Sequence, residues 1–245
     1  MAGLNRAYKR RPSMVAMNGG PVLCLDAGSK LSYPGSGTTW TDLSGNGNNG
    51  TLTNGPTFDS ANGGSIVFDG SSTYINTTIK LFTTQQFTIY FWIKVNLFTG
   101  TACSGAVSNS LYSIFGTTAI YQGFTNTFSA CVQTGANSNS TGTVTQSNYP
   151  TGVWHNYCAV YDGSQTGNAA RLQLFINAVN KTLTYDATVP SNPYNNNTNT
   201  RVGFGPAGNY PYFNGSISNV NYYSRALSAA EISTNFELLR GRYGI

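Results

Sequence analysis

The chain has 245 residues, of which 40% are hydrophobic and 13% aromatic, but only 9% carry a charge. This aromatic content excludes a disordered chain, and the length suits one large all-β domain. Ordinary soluble domains carry about 25% charged residues, so the surface here is polar but nearly uncharged, which favours strands and turns over long exposed helices. No apolar stretch approaches the length of a membrane-spanning helix.

The net charge of +5 is concentrated at the start of the chain. Four of the 13 basic residues lie within the first eleven positions, and they are Arg6, Lys9, Arg10 and Arg11. No acidic residue precedes Asp26, and from residue 12 onward nine basic residues face eight acidic ones. We expect residues 1–20 to form an extended basic arm that binds an acidic protein neighbour, with nucleic acid less favoured and a solvated terminus as the alternative. The arm lacks the apolar stretch of a signal peptide, which predicts that the chain is not exported by the classical route.

Alternating apolar residues predict short strands along the rest of the chain. In chain order these are 22–25, 66–68, 87–94, 111–115, 128–132, 153–161, 171–176, 201–204 and 216–223. The pattern is clearest at 87–94, where Phe87, Ile89, Phe91 and Ile93 share one face. Asn-Gly pairs at 46–47, 49–50, 54–55, 62–63 and 214–215 predict tight turns. Short strands joined by tight turns indicate one antiparallel β-sandwich over residues 21–245.

One helix is predicted near the C-terminus, over residues 229–240. Ser228 can cap it while Glu231 reaches back to the cap amide, and Leu227 and Ile232 occupy the two positions of a hydrophobic staple. Gly241 is the predicted stop.

The cysteines carry no metal or redox pattern. Cys24, Cys103, Cys131 and Cys158 form no CxxC pair, and His155 is the single histidine. Cys24 and Cys158 lie in apolar runs and are expected to be buried. A Cys103–Cys131 bridge is one alternative and separate thiols are the other, since the sequence does not fix the distance between them. We expect His155 to be structural rather than catalytic.

Seven blocks of sequence occur in a fixed order along the chain. They are LDA at 25–27, TWTDLSGNGNNGT at 39–51, VFDG at 67–70, FTI at 87–89 with Trp92, WHNY at 154–157, FNGSI at 213–217, and YYSRALS at 222–228 with Glu231 and Ile232. Together they resemble the laminin-G-like branch of the concanavalin A-like lectin/glucanase superfamily over roughly residues 22–245. The resemblance implies a jelly roll of two curved antiparallel sheets. Where the family often has Asn-Gly, this chain has Asn177-Ala178, which weakens the turn expected there.

The resemblance extends to domains that are common in virion proteins of tailed phages, where chains often end in a tail like Arg242-Tyr243-Gly244. It implies a virion structural protein, either a capsid decoration (cement) protein or a tail component, whose partners are other virion subunits. The alternative is a lectin-like module that binds host surface glycan. A homo-oligomer is compatible with either hypothesis, and neither requires a membrane or a cofactor.

Hydrolysis is not expected, although the superfamily includes glucanases. A retaining glycosidase needs two carboxylates about 5 Å apart, whereas the two glutamates, Glu231 and Glu237, both belong to the predicted helix and the aspartates are scattered.

Two candidate binding sites remain. Oxygen-bearing side chains alternate at Asp42, Ser44, Asn46 and Asn48, which is the spacing of a calcium loop, although a glycine-rich turn held by side-chain hydrogen bonds is the alternative. Tyr194, Tyr210 and Tyr212 lie in Asn- and Pro-rich loops and are candidates to stack on sugar rings or to form a protein interface. Phe213, beside them, is expected to be buried.

Overall fold

A computed structural model of the protein describes residues 19–80, 84–96, 104–108, 119–122, 127–135, 138–145, 150–194, 199–204 and 212–245. Its strands are, in chain order, β1 Leu23–Asp26, β2 Thr39–Trp40, β3 Gly50–Thr53, β4 Thr57–Asp59, β5 Ser65–Asp69, β6 Tyr74–Thr77, β7 Gln86–Val95, β8 Ser104–Ser108, β9 Ala119–Gln122, β10 Thr127–Gly135, β11 Ser138–Thr145, β12 Trp154–Asp162, β13 Leu172–Ile176, β14 Val179–Lys181, β15 Thr184–Tyr185, β16 Arg201–Val202 and β17 Asn214–Tyr223. The α-helices are α1 Asn168–Arg171 and α2 Ala229–Leu239, and 3-10 turns lie at Ala61–Gly63 and Arg240–Arg242.

Within the described residues the strands form two antiparallel sheets. Sheet A has the order β14-β13-β12-β7-β17-β5-β4, with β1 pairing the same edge of β17 as β5 does; sheet B has the order β15-β11-β10-β9-β8-β16-β6-β3-β2. This confirms the predicted all-β jelly-roll sandwich. Strand β17 is central to sheet A, because its two edges pair with β7 on one side and with β1 and β5 on the other.

The predicted alternation places the core between the two sheets. Phe87, Ile89, Phe91 and Ile93 are buried there, together with inward residues of the neighbouring strands and of sheet B. The opposite face of the same strand carries Tyr90 and Trp92, which belong to a second buried cluster on the outer side of sheet A. One strand therefore contributes to two apolar layers, and its sequence contains no exposed face.

Helix α2 covers the outer side of sheet A. The predicted capping box is present: Ser228 Oγ accepts from the amide of Glu231, and the Glu231 carboxylate accepts from the amide of Ser228 at 2.9 Å. Leu227 and Ile232 are both buried, as the staple requires. The α-helix ends at Leu239, and the chain continues through a 3-10 turn across Gly241 to Gly244, whose φ is +75°.

The predicted turns are correct in part. Asn62-Gly63 has a pair of positive φ angles and lies in the loop 60–64, which joins β4 to β5. The predictions at 49–50 and 214–215 were wrong, because Gly50 and Gly215 lie inside β3 and β17. The turn at Asn177-Ala178 forms without a glycine, with φ of 51° and 60°, and it joins β13 to β14.

Several predictions fall on residues that the structure does not describe. These are the basic arm with Arg6, Lys9, Arg10 and Arg11, the strand at 111–115, Cys103 and Tyr210. The division at residue 20 therefore stays a prediction. In the described part of the chain, no helix combines the length and apolar character that crossing a membrane requires.

Candidate functional site

The outer face of sheet B carries a group of aromatic and polar side chains. Ile75 and Val202 are completely buried in the core, so the alternation of their strands turns Tyr74, Asn76 and Arg201 outward. Asn76 and Arg201 are direct partners across the β6–β16 pair. With Phe204 and Tyr212, which pack against them, these residues form what we call the aromatic patch: Tyr74, Asn76, Arg201, Phe204 and Tyr212.

The three rings of the aromatic patch contact one another. Tyr74 and Phe204 meet with ring centroids 5.1 Å apart and an angle of 70°, and Phe204 and Tyr212 meet at 5.4 Å and 81°. Tyr74 and Tyr212 lie 6.2 Å apart. Edge-to-face contacts of this kind are favourable and fix ring orientation. Phe204 is buried while the two tyrosines are half-buried, so the tyrosines offer partly open ring surface.

Arg201 lies above these rings. Its guanidinium carbon is 4.2 Å from the centroid of Phe204 and 5.6 Å from that of Tyr74. A cation over a ring face at this distance is attracted by the ring quadrupole. The Arg201 side chain makes no hydrogen bond or ion pair with the residues that the structure describes.

Asn76 contributes a polar atom to the same face. Its Oδ1 is buried and has no hydrogen-bond partner among the described residues. Most buried polar side-chain atoms in folded proteins are paired, so this unpaired acceptor beside the Arg201 side chain is unusual.

The backbone around Gly203 positions Phe204 and Tyr212. Gly203 has φ of +76°, and a Cβ there would collide with the ring of Phe68. Its carbonyl accepts from the amide of Phe213 at 3.1 Å, and Phe213 is completely buried, as predicted. Tyr212 is thus held at the patch by a buried neighbour in sequence.

The loop before Tyr74 is organised by Asp69. The Asp69 carboxylate accepts from the backbone amides and the hydroxyls of Ser71, Ser72 and Thr73. Burial raises the pKa of Asp69, but these hydrogen bonds outweigh it and hold the pKa well below its usual range. The Asp69 carboxylate is therefore already hydrogen-bonded within its own loop.

Two of the three tyrosines predicted as a glycan site, Tyr194 and Tyr212, lie near opposite ends of β7. Tyr212 belongs to the aromatic patch, and Tyr210 lies outside the described residues. Tyr194, which is 39% exposed, follows Ser191, whose carbonyl accepts from Gln85 at the start of β7. Tyr212 precedes Gly215, which pairs with Val95 at the other end of β7. The two ends of this strand are about 30 Å apart at 3.3 Å per residue. Sequence reasoning missed Tyr74, Arg201 and Phe204, which lie in or beside strands of two to four residues.

The candidate calcium loop is closed by its own hydrogen bonds. Asp42 is buried, and each of its carboxylate oxygens accepts twice: Oδ1 from the amides of Cys24 and Ser44, and Oδ2 from the Ser44 hydroxyl and the Asn48 amide, at 2.7–2.9 Å. The side-chain amide nitrogens (Nδ2) of Asn46 and Asn48 both donate to the backbone carbonyl of Val22. Within the described ranges no three His, Cys, Asp or Glu side chains are grouped for a metal. These contacts favour a structural role for the loop, and calcium binding there stays a prediction.

Cys24, Cys158 and His155 are buried. Burial raises the pKa of the Cys24 thiol to about 12 and raises that of Cys158 further. Burial lowers the pKa of His155, which favours the neutral imidazole. Both thiols were expected to be buried, and they pack as small apolar groups.

The fold matches solved structures at low sequence identity. The binding domain of botulinum neurotoxin DC in complex with SialylT gives a TM-score of 0.65 at 15% identity, covering 89% of this chain and 51% of that chain. Domain 4 of AbnA, a GH43 extracellular arabinanase from Geobacillus stearothermophilus, in complex with arabinotriose, gives 0.58 at 17%, covering 89% and 98%. Trypanosoma rangeli sialidase in complex with sialic acid gives 0.58 at 13%, covering 90% and 33%.

These similarities show the fold, and their extent differs. The chain spans about half the length of the neurotoxin binding domain and a third of the sialidase, but nearly all of the arabinanase domain. The matching proteins include both binding domains and enzymes. No curated protein sequence matches the chain. A family model described as concanavalin A-like lectin/glucanases superfamily matches residues 69–233, which is more than half of the chain. The protein belongs to the concanavalin A-like lectin/glucanases superfamily.

Proposed function

We propose that this protein is a non-enzymatic carbohydrate-binding module whose ligand lies on the aromatic patch. The observation that carries the proposal is the grouping of partly open tyrosine rings with unpaired polar groups on one sheet face. Sugar rings present C–H groups to aromatic faces and hydroxyls to polar side chains, so a saccharide matches both halves of the patch. Two of the matching structures, the neurotoxin binding domain and the arabinanase domain, are in complex with SialylT and arabinotriose.

The acidic residues support a binding role without hydrolysis. Seven of them have partners within the chain, namely Asp26, Asp42, Asp59, Asp69, Asp162, Glu231 and Glu237. A glycosidase acid needs a raised pKa. Burial raises the pKa of Asp69 and Asp162, but hydrogen bonds outweigh it and lower both, while the pairing with Arg225 lowers the pKa of Glu231 to about 2.

The test is a glycan array with the full chain, followed by affinity measurements on the saccharides that bind. Tyr212→Ala is expected to weaken binding about tenfold, because one stacking surface is removed. Tyr194→Ala is the matched control, since this exposed tyrosine lies at the opposite end of the sandwich, and it is expected to bind like the original chain. If no saccharide binds, or if Tyr194→Ala is the damaging change, the proposal is wrong.

The same measurements, with calcium and with a chelator, test the loop at Asp42. Equal binding in both conditions is expected, because the four hydrogen bonds to the Asp42 carboxylate form without a metal. Binding that depends on calcium would instead support the predicted site at Asp42, Ser44, Asn46 and Asn48.

We also propose that the protein acts in the virion of a tailed phage, as a capsid decoration protein or a tail component. The sequence observation that favours this role is the basic arm ahead of a nearly neutral sandwich. In this proposal Arg6, Lys9, Arg10 and Arg11 bind a neighbouring subunit and the sandwich projects toward host glycan, so the two functions coexist.

Deleting residues 1–20 tests the arm. We expect the shortened protein to keep its circular dichroism spectrum and its glycan binding but to lose incorporation into particles. Replacing the four basic residues with glutamine should have the same effect if charge is what the neighbour recognises. Normal incorporation of both variants would exclude the arm as the attachment point.

A further inference from the structure

We propose that the saccharide bound at the aromatic patch carries a carboxylate, as uronic and sialic acids do, and that Arg201 binds it. This inference rests on the proposed carbohydrate-binding function and adds the chemical class of the ligand.

The argument begins with the other arginines in the described ranges. Each of them has an acceptor: Arg171 binds two backbone carbonyls, Arg225 binds Glu231, Arg240 binds Glu237, and Arg242 binds Asp26. Arg201 alone among them has neither a hydrogen-bond acceptor nor an acidic partner within that part of the chain. Asp69, the acidic residue that precedes Tyr74 in the sequence, is already engaged by Ser71, Ser72 and Thr73.

The guanidinium N–H groups of Arg201 have no acceptor among the described residues. The guanidinium carbon lies 4.2 Å from the centroid of the Phe204 ring, and the N–H groups project in the guanidinium plane. A carboxylate accepts two such N–H groups side by side, and this paired contact is stronger and more specific than a neutral hydrogen bond. Partial burial on an aromatic surface also reduces hydration of the cation, which increases the benefit of an anionic ligand.

Asn76 supplies the second contact. Directly opposed residues on neighbouring antiparallel strands have Cβ atoms about 5 Å apart, so the Asn76 amide lies next to the Arg201 side chain. Its unpaired Oδ1 is buried, so a sugar hydroxyl reaches it only if the Asn76 side chain rotates when the ligand binds. Tyr74 and Tyr212 then contact the sugar ring.

The experiment measures binding of the full chain to paired saccharides that differ only in charge. Trigalacturonate is compared with its methyl ester, and sialyllactose with the methyl ester of its sialic acid carboxylate. We expect at least one acidic member to bind about tenfold more tightly than its neutral partner, and the difference to shrink as salt rises, because the charges are partly exposed.

Substitution of Arg201 separates this inference from the proposed function. Arg201→Gln is expected to abolish the preference for the acidic member, and Arg201→Lys to retain only part of it because the paired contact is lost. If neutral saccharides bind as well as acidic ones and Arg201→Gln changes neither, the carboxylate inference fails and the proposed function stands. Tighter binding of a sulfated saccharide would overturn the carboxylate assignment, and no binding to any saccharide would defeat both.

Discussion

The two outer faces of this sandwich use similar residues for different ends. On sheet A, Trp92 is stacked between Tyr243, at 4.0 Å, and Phe236, at 5.6 Å, beneath α2 and the segment that follows it. On sheet B, the rings of Tyr74 and Tyr212 remain half-buried. One aromatic layer is covered by the chain itself, and the other is the layer where we propose that a ligand binds.

The arginines sharpen the contrast. Arg242 lies 5.4 Å from the ring of Tyr243, and its guanidinium donates to Asp26 Oδ1, to the hydroxyl of Ser218 and to the carbonyls of Asn62 and Gly64, at 2.7–3.0 Å. Arg201 lies over Phe204 and has none of these partners. An arginine over an aromatic ring therefore does not indicate a binding site by itself. The distinguishing feature is whether the chain supplies the acceptors.

The largest effect is expected from Phe236→Ala, which opens the closed face. Removing this buried ring from the Trp92 stack should lower the free energy of unfolding by about 4 kcal/mol, since it leaves a cavity. Urea unfolding measures the change. Leu238→Ala is the control on the same helix, because Leu238 is exposed and alanine suits a helix equally well. Similar losses in both variants would show that the face is not closed as described.

Arg242→Ala is expected to cost about 3 kcal/mol in the same measurement. The change leaves Asp26, Ser218 and two carbonyls without their common donor, and breaking this partly buried pair from one side costs more than the pair contributes. Arg242→Lys keeps the positive charge but not the planar set of N–H donors, and it should lower the free energy of unfolding by less than Arg242→Ala does. A stability equal to that of the original chain would mean that the segment after α2 does not hold the closed face.

Glu231→Gln is expected to cost about 1 kcal/mol at pH 7, a value reduced for the 30% exposure of both partners. The pairing with Arg225 lowers the pKa of Glu231 from 4.5 to about 2 in the folded protein. This contribution is therefore complete above pH 4.5 and is lost as the pH falls toward 2. The stability difference between the original chain and Glu231→Gln should disappear over that interval, and a difference that persists at pH 2 would assign it to the capping geometry instead of the charge.

The smallest effect is expected on the open face. Arg201→Ala should change the free energy of unfolding by no more than about 0.5 kcal/mol, because no acceptor loses its donor. A loss as large as that of Arg242→Ala would show that Arg201 is structural, and would remove the contrast between the two faces.

The fold was predictable because its signals are local. The alternation of Phe87, Ile89, Phe91 and Ile93 needs only neighbouring residues to be recognised, and the Ser228–Glu231 capping box spans four positions. The wrong turns at Gly50 and Gly215 show the limit of such signals, since an Asn-Gly pair also fits inside a strand when a neighbour crowds the position. A Cβ on Gly50 would collide with Ile75, and one on Gly215 with the carbonyl of Lys94.

The aromatic patch was not predictable in the same way. Tyr74 and Arg201 are 127 positions apart, and they become neighbours only because β6 pairs with β16. Tyr212 was identified as a candidate among three tyrosines, but its exposure depends on the buried Phe213 beside it. The four hydrogen bonds of the Arg242 guanidinium likewise join positions that are up to 216 residues apart.

The position of β17 at the centre of sheet A has a consequence for how the protein is made. Leu23 of β1 pairs with Tyr222 of β17, about 200 residues later in the sequence. Strands β5 and β7 also pair with β17. During synthesis, one edge of each of these earlier strands stays without its partner until β17 emerges from the ribosome. Contacts this distant in sequence form slowly, and unpaired strand edges attract other chains in the meantime. We therefore expect this order of strands to slow maturation and to increase the need for chaperones during expression.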